Sequence, residues 1–471
     1  MVLGTMYVVL ALRRLSLTQV TSSDRGFRAF VLLEPRCRFI WSTMHLQWPP
    51  GAVDLYLRRS QGRPLSVSLI VPKTNASKSK KDRWATFLST NMCMIRALDI
   101  SICNRQCSAA LSRSLDTPAP ILRSFTLNLG HSIDSVQGLF SGFAPGLDSV
   151  RINARRSFDL QCFPSIRVLV MRVNPYVHAS LLPTLAALSN LEELTLISTI
   201  HSKDNASNLY SDRAYCFPET FPETWISLVA CRSLTLKHFE TPFIEGFLST
   251  VNIQSVKELI IHENMVCGGP KDSFAWLSPT FASPFPYVPL HPIRPTLLRL
   301  EIDPNRVYLV ADGTPSYTYS LDLRPLCCTG EGFEIEIANI LVNLATQLSV
   351  QPCELTIVID AGQSIRVANH ALSRLYDAIS SAEFWQYVLA AYGAVETICL
   401  AGNVTAIVSV LSRVDASFVL PSLSEIRVPE NSVNHAVDPA CLADLLKTWP
   451  THSESLLGNV AAFCAQVEIK A

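Results

Sequence analysis

A six-residue pattern, apolar-x-x-apolar-x-apolar, recurs along the chain and limits what it can fold into. It stands as IRALDI from Ile95, LRSFTL from Leu122, LDSVRI from Leu147, IRVLVM from Ile166 and LEELTL from Leu191. It returns as CRSLTL from Cys231, VKELII from Val256, LLRLEI from Leu297, VETICL from Val395 and LSEIRV from Leu423. Weaker copies begin at Thr318 (TYSLDL) and Pro352 (PCELTI), and LSVSLIV from Leu65 reads as a first strand. Successive good copies start 27, 25, 19, 25, 40, 25, 41, 98 and 28 residues apart. The gap of 98 divides into 21, 34 and 43 at the two weaker copies.

The back half of each copy alternates, so its apolar side chains point one way and the residues between them the other. The first apolar residue closes the turn that leads into the strand. One such strand cannot bury its own face. Stacking successive strands at ~4.8 Å makes a parallel sheet with a continuous core. Most of the intervals match the leucine-rich-repeat period, and those of 40 and 41 fit one repeat plus an inserted loop. The expected fold class is therefore α/β: a leucine-rich-repeat-like solenoid, a curved parallel sheet with helices on its convex side and irregular repeats. Parallel strands need crossovers. SLLPTLAALSN, FEIEIANILVNLATQL and HALSRLYDAISSAEFWQYVLAAYG carry helical periodicity, with Gly393 as the stop of the last. DPACLADLLKTWP reads as a terminal capping helix starting at Asp438.

Composition narrows the function classes. Lys+Arg and Asp+Glu are both 39, so no global charge attracts nucleic acid or an acidic membrane. The apolar run in MVLGTMYVVLALRR is too short to span ~30 Å of hydrocarbon, and its basic pair follows the run instead of preceding it. The chain is thus expected to lack a membrane span and a secretory signal and to work in the cytoplasm or nucleus. Its 14 cysteines are scattered and read as buried free thiols of a reducing compartment. Cys93, Cys103 and Cys107 come nearest to a metal cluster but have neither a C-x-x-C pair nor a nearby His.

Catalytic signatures are missing. There is no GxSxG elbow and no GxxxxGK[ST] phosphate loop. HENMV from His262 lacks the second His that a zinc helix needs four residues on, and His262 falls on an expected strand. The densest charge run, KTNASKSKKDR from Lys73 to Arg83, reads as a solvated loop; a nuclear-localisation or phosphate-binding patch is the other reading. Polar and Pro-rich insertions at about 201–222 and 267–295 interrupt the array. Neither a catalytic residue, a cofactor nor a metal is expected.

Three stretches resemble the F-box proteins with degenerate leucine-rich repeats of mushroom-forming fungi. RFIWSTMHLQWPPGAVDLYLRRSQGRPLSVSLIV, Arg38 to Val71, is similar to the segment that follows the F-box in that family. LFSGFAPGLDSVRINARRSFDLQCFPSIRVLVMR resembles its middle repeats, and LPTLAALSNLEELTLIS its helix-plus-strand unit. The resemblance implies residues 1–47 as a degenerate or truncated F-box remnant, 48–450 as the solenoid and 451–471 as a tail or cap. Leu12 to Ser42 look like only the end of an F-box, without its opening helices.

The resemblance further implies the substrate-recognition subunit of an SCF-type ubiquitin ligase, binding a protein substrate and a Skp-family adaptor through residues 12–42. A stand-alone repeat scaffold and an unrecognised α/β enzyme are the alternatives. The positions between core residues on the strands are the candidate partner-binding set: Arg151, Asn153, Glu193, Thr195, Lys237, Glu258, His262, Arg299, Glu301 and Arg427. Their mixed charges suit a polar protein surface.

Overall fold

The hexads begin with a shared turn. The amide of the first residue donates to the carbonyl three residues back: Leu122 to Ala119, Leu147 to Ala144, Ile166 to Phe163, Leu191 to Leu188, Cys231 to Leu228, Val256 to Ile253, Val395 to Tyr392 and Leu423 to Leu420, at 3.0–3.2 Å. The carbonyl of the second residue then accepts two amides from the neighbouring repeat. Arg123 takes those of Asp148 and Ser149, Arg167 those of Glu192 and Glu193, Arg232 those of Lys257 and Glu258, and Glu396 those of Ser424 and Glu425. These paired bonds satisfy backbone groups as each strand enters the sheet, and they set its register to the one before.

The computed structural model describes residues 41–72, 77–103, 109–129, 138–154, 158–173, 181–199, 226–239, 241–264, 297–303, 306–312, 316–322, 337–339, 341–342, 345, 352–359, 377–412 and 419–427. The chain divides into two compact units, Met1–Ala154 and Arg155–Ala471.

The first unit contains β1 (Thr43–His45), α1 (Pro50–Ser60), β2 (Leu65–Val71), α2 (Lys78–Asn91), β3 (Ile95–Ile102), α3 (Ala109–Leu115), β4 (Ser124–Leu129) and β5 (Ser149–Asn153). Its strands pair in chain order and all in parallel. Pro50 opens α1, where a missing amide costs nothing, and Gln61 closes it in the left-handed region at φ 52°. Strand β2 alternates strictly, with Leu65, Val67, Leu69 and Val71 buried. Phe125 of β4 meets Phe140 edge-on at 4.9 Å, and the buried Trp84 indole of α2 donates to the Leu46 carbonyl at 2.7 Å.

The second unit contains β6 (Val168–Val173), α4 (Leu181–Ala187), β7 (Glu193–Ser198), β8 (Ile226–Ser227), β9 (Ser233–Phe239), α5 (Thr241–Thr250), β10 (Val251–Asn252) and β11 (Glu258–Asn264). It continues with β12 (Leu297–Asp303), β13 (Arg306–Asp312), β14 (Ser316–Asp322), β15 (Glu354–Ile359), α6 (Ala382–Ala390), β16 (Thr397–Gly402), α7 (Thr405–Leu411) and β17 (Glu425–Arg427). Its main sheet runs β6-β7-β9-β11-β14-β13-β12-β15-β16-β17, and β8 pairs with β10 apart from it. Phe239 of β9 stacks on Phe243 of α5 at 4.0 Å, and Phe243 on Phe247 at 6.1 Å. Burying each such ring is worth about 2 kcal/mol.

Every hexad copy, weak ones included, lies on or leads into a strand. Several expectations are corrected. The sheet is not parallel throughout: β13 runs antiparallel to both β12 and β14. That meander also reverses the order, so β11 pairs with β14 and not with β12. The long helix expected over residues 370–393 breaks at Ser380–Ser381, because the Ser381 hydroxyl caps a new helix by accepting the Phe384 amide at 3.1 Å. That helix ends at Ala390, before Gly393. Half of the basic run is not loop, since Lys78, Lys80, Lys81 and Arg83 lie in α2. The cysteines are not uniformly buried: Cys231 is, but Cys93, Cys162 and Cys353 are exposed, and none of these is in a disulfide. Residues 1–40, both long insertions and the segment from Asp438 onward lie outside the described residues. Strand β1 falls inside the segment expected to be an F-box remnant and pairs with β2.

Candidate binding face

On each strand of the second unit the residues between core positions form a second face. Hydrogen-bond register aligns them in rows across the sheet. One row runs Val170, Thr195, Thr235, Ile260, Thr318, Val310, Arg299, Thr356, Cys399 and Arg427. A second runs Arg172, Ile197, Lys237, His262, Ser320, Tyr308, Glu301, Val358 and Ala401. A third begins Val168, Glu193, Ser233, Glu258 and Ser316.

The structure thus brings Glu193, Thr195, Lys237, Glu258, His262, Arg299, Glu301 and Arg427 onto one face of one sheet. Arg151 and Asn153 sit on the corresponding positions of β5 in the first unit, where Asn153 donates its amide to Asn128 Oδ1 at 2.8 Å. Some candidates are tied to neighbours. Arg299 Nε donates to Glu301 at 2.6 Å. Arg427 pairs with Glu425 at 2.7 Å and with Glu354 at 3.8 Å. Glu258 accepts from the Ser233 hydroxyl at 2.7 Å.

The centre of the face is shaped by an irregularity in β9. Lys237 stands opposite His262, but Phe239 stands opposite Glu263, so His238 is an extra residue with φ 63°. This bulge turns the β9 end, and the Asn264 amide donates to the His238 carbonyl at 3.1 Å. The His238 and His262 rings lie 6.5 Å apart, nearly parallel. His262 Nδ1 shares a hydrogen bond with Ser320 Oγ. Burial first, then the charges of Lys237 and Arg306, hold the His262 pKa down at about 4.

On the opposite face of the same strands lies a buried polar group. Tyr319 donates to Glu263 Oε2 at 2.8 Å. Burial pushes the Tyr317 and Tyr319 pKa values well above the ordinary phenol range, and the Glu263 charge adds to it. Two thiols are likewise pushed up by burial, Cys231 to about 11, and Cys399 also upward. High thiol pKa values leave little thiolate, so neither is activated as a nucleophile. Among the described residues no three His, Cys, Asp or Glu side chains gather closely enough to hold a metal ion. No helix among them is long and apolar enough to cross a membrane.

Arg172, Ser320, Tyr308 and Glu263 were not among the sequence candidates. Arg172 carried a signal: it directly follows a hexad, the place that Lys237 and His262 occupy in theirs. Ser320, Tyr308 and Glu263 gain their neighbours only from strand pairing.

No protein-family model matches the chain, and no curated protein matches it. Among solved structures it is similar to the leucine-rich repeat-containing protein LegL7 from Legionella pneumophila, at 12% identity and a TM-score of 0.30. That match covers 81% of this chain and 98% of LegL7.

Proposed function

We propose that this chain is a protein-binding repeat scaffold without catalysis of its own, and that its partner lies on the binding face of the second unit. The observation that carries this reading is the registered set of rows. Adjacent strands β7, β9 and β11 present Glu193, Thr195, Lys237, Glu258 and His262 side by side, and Arg299 continues the Thr195 row three strands beyond β11, as acids, cations and a hydroxyl on one sheet surface. Repeat sheets use such surfaces because each strand adds one interchangeable set of side chains without disturbing the core.

The test places a photo-crosslinking residue at Thr195, Thr318 or Arg299, and at the exposed Gln386 of α6 as a control. Discrete adducts in native extract from the three face positions, and none from Gln386, are expected. Adducts confined to Gln386 overturn the reading.

The finer version couples the scaffold to an SCF-type ligase through residues 12–42. It rests on the sequence resemblance alone. Co-purification with the Skp-family adaptor, compared with a chain lacking residues 1–47, tests it. Loss of the adaptor on truncation supports the coupling, and failure of the full chain to bind leaves an uncoupled scaffold.

A further inference from the structure

The place directly after the hexad holds a nitrogen base in three strands of the second unit: Arg172 after IRVLVM, Lys237 after CRSLTL and His262 after VKELII. Register sets Arg172 beside Ile197, Ile197 beside Lys237, Lys237 beside His262 and His262 beside Ser320. At ~4.8 Å per strand, the Arg172 and Lys237 positions stand roughly 10 Å apart on one face. Arg172 is exposed and Lys237 half-buried. Arg306 adds to the positive field at His262, and Arg172 and Lys237 are the cations of the row itself. The acids of the same strands sit at the other end, Glu193 and Glu258 being the first residues of β7 and β11. Between Glu258 and His262 the strand runs ~13 Å. Across β7, β9 and β11 the acids therefore stand where the strands start and the bases where they end, whereas on β12 Arg299 precedes Glu301.

We propose that the strand-end half of this face, built on Arg172 and Lys237 with His262 beside them held by the buried Ser320, docks an extended acidic segment of the protein partner. This deepens the scaffold reading and rests on it. The argument is charge complementarity on a floor that suits a backbone. Ile197, Ile260 and Thr318, each half-buried, lie near the cations, so a peptide finds methyl groups to cover and a hydroxyl to bond. Among the described residues of the row from Arg172 to Ser320 there is no Phe, Tyr or Trp for a base to stack on, only the small imidazole of His262, which favours a peptide over a nucleic acid. Carboxylates arriving at the row are drawn by two cations, and the attraction weakens with salt. A bound anion beside His262 also offsets the field of Lys237, so the imidazole takes up a proton more readily.

The test uses the full chain and a labelled peptide of alternating Glu and Val, with its Gln-for-Glu and Lys-for-Glu counterparts. The Glu peptide is expected to bind in a salt-dependent way. Lys237→Glu and Arg172→Glu should each weaken it about tenfold, and Lys237→Gln by less. The thermal midpoint of each variant checks that it folds. The His262 ring signal, assigned by its loss in His262→Gln, should titrate at higher pH with the Glu peptide present. Equal binding of the Gln peptide, or a Lys237→Glu variant that binds as well as the parent, overturns the proposal. So does an oligonucleotide that binds more tightly and moves the same His262 signal. If the acidic peptide fails while the face positions still form discrete cross-links, the acidic occupant falls and the scaffold reading stands. If both fail, both fall.

Discussion

The Tyr319 hydroxyl donates to the Glu263 carboxylate at 2.8 Å, joining adjacent strands across 56 residues of sequence. Both residues are 1% exposed, so the contact lies within the core of the second unit. A carboxylate held there needs its donors, because an acceptor left unmet in the interior keeps its full desolvation cost. Tyr319→Phe should destabilise the second unit by about 2 kcal/mol. Adding Glu263→Gln should recover part of that loss, since an amide costs less to bury than a charge. Denaturant midpoints of the two single variants and the double variant check this; strictly additive losses would show that the two groups do not act as a pair.

His262 sets a pH dependence. Its pKa is lowered from 6.5 to about 4, through burial and the nearby Lys237 and Arg306 charges. The neutral ring is favoured in the folded chain, so unfolding takes up a proton below pH 6.5. Its contribution is fully present above about pH 6.5 and is lost as pH falls toward 4. The Lys237 and Arg306 charges act on the ring, His238 lies near it, and Glu263 follows His262 on the opposite face. The midpoint of the parent chain should drop more steeply from pH 6.5 to 4 than that of His262→Gln. Parallel pH profiles for the two would contradict the assignment.

Gly402 tolerates no side chain. Its φ is +82°, and an added Cβ would sit 2.0 Å from the Ile359 carbonyl oxygen on the paired strand. Gly402→Ala should cost about 3 kcal/mol or more, combining the left-handed backbone with a clash against backbone that cannot move aside. Gly393→Ala is the control, since its Cβ would meet only Pro421 carbons at 3.8 Å. Thermal midpoints should separate the two variants clearly.

Ser381 starts α6 by accepting the Phe384 amide. Ser381→Ala should lower stability by about 1 kcal/mol, and Ser381→Asp should retain most of it. Helix signal and denaturant midpoint measured together check the cap; an unchanged midpoint in Ser381→Ala would mean the helix start is held by packing alone.

Reading the hexads and the Leu65 run located every described strand except the short β1, β8 and β10 and the hairpin strand β13, because a half-buried strand writes its two faces into alternate residues. It failed at β13. RVYLVAD alternates well but lacks the leading turn of the repeat, and the short links DPNR before it and DGTPS after it are hairpin signals that a search for repeats passes over. The break at Ser381 was also legible, as a capping serine three residues ahead of Phe384, but the apolar periodicity ran through it. For the face, alternation named Lys237, His262 and Glu258. It did not name Ser320 or Tyr308, which belong to the site only because β14 and β13 are inserted beside β11.

By itself, the sequence determined which side chains share a face of each strand, because that depends on the period-2 geometry of a single strand; burial on the second face, as at Thr235 and Ser320, depends on neighbouring strands. It also determined where the strands begin, because each turn is closed by a hydrogen bond spanning three residues. Strand order was decided only in the tertiary structure. Which strand lies beside β11 depends on backbone pairing between segments tens of residues apart, and many pairings satisfy the same local pattern. The pairing adopted sets Ser320 against His262 and Tyr319 against Glu263, and these contacts give the centre of the second unit its electrostatic character.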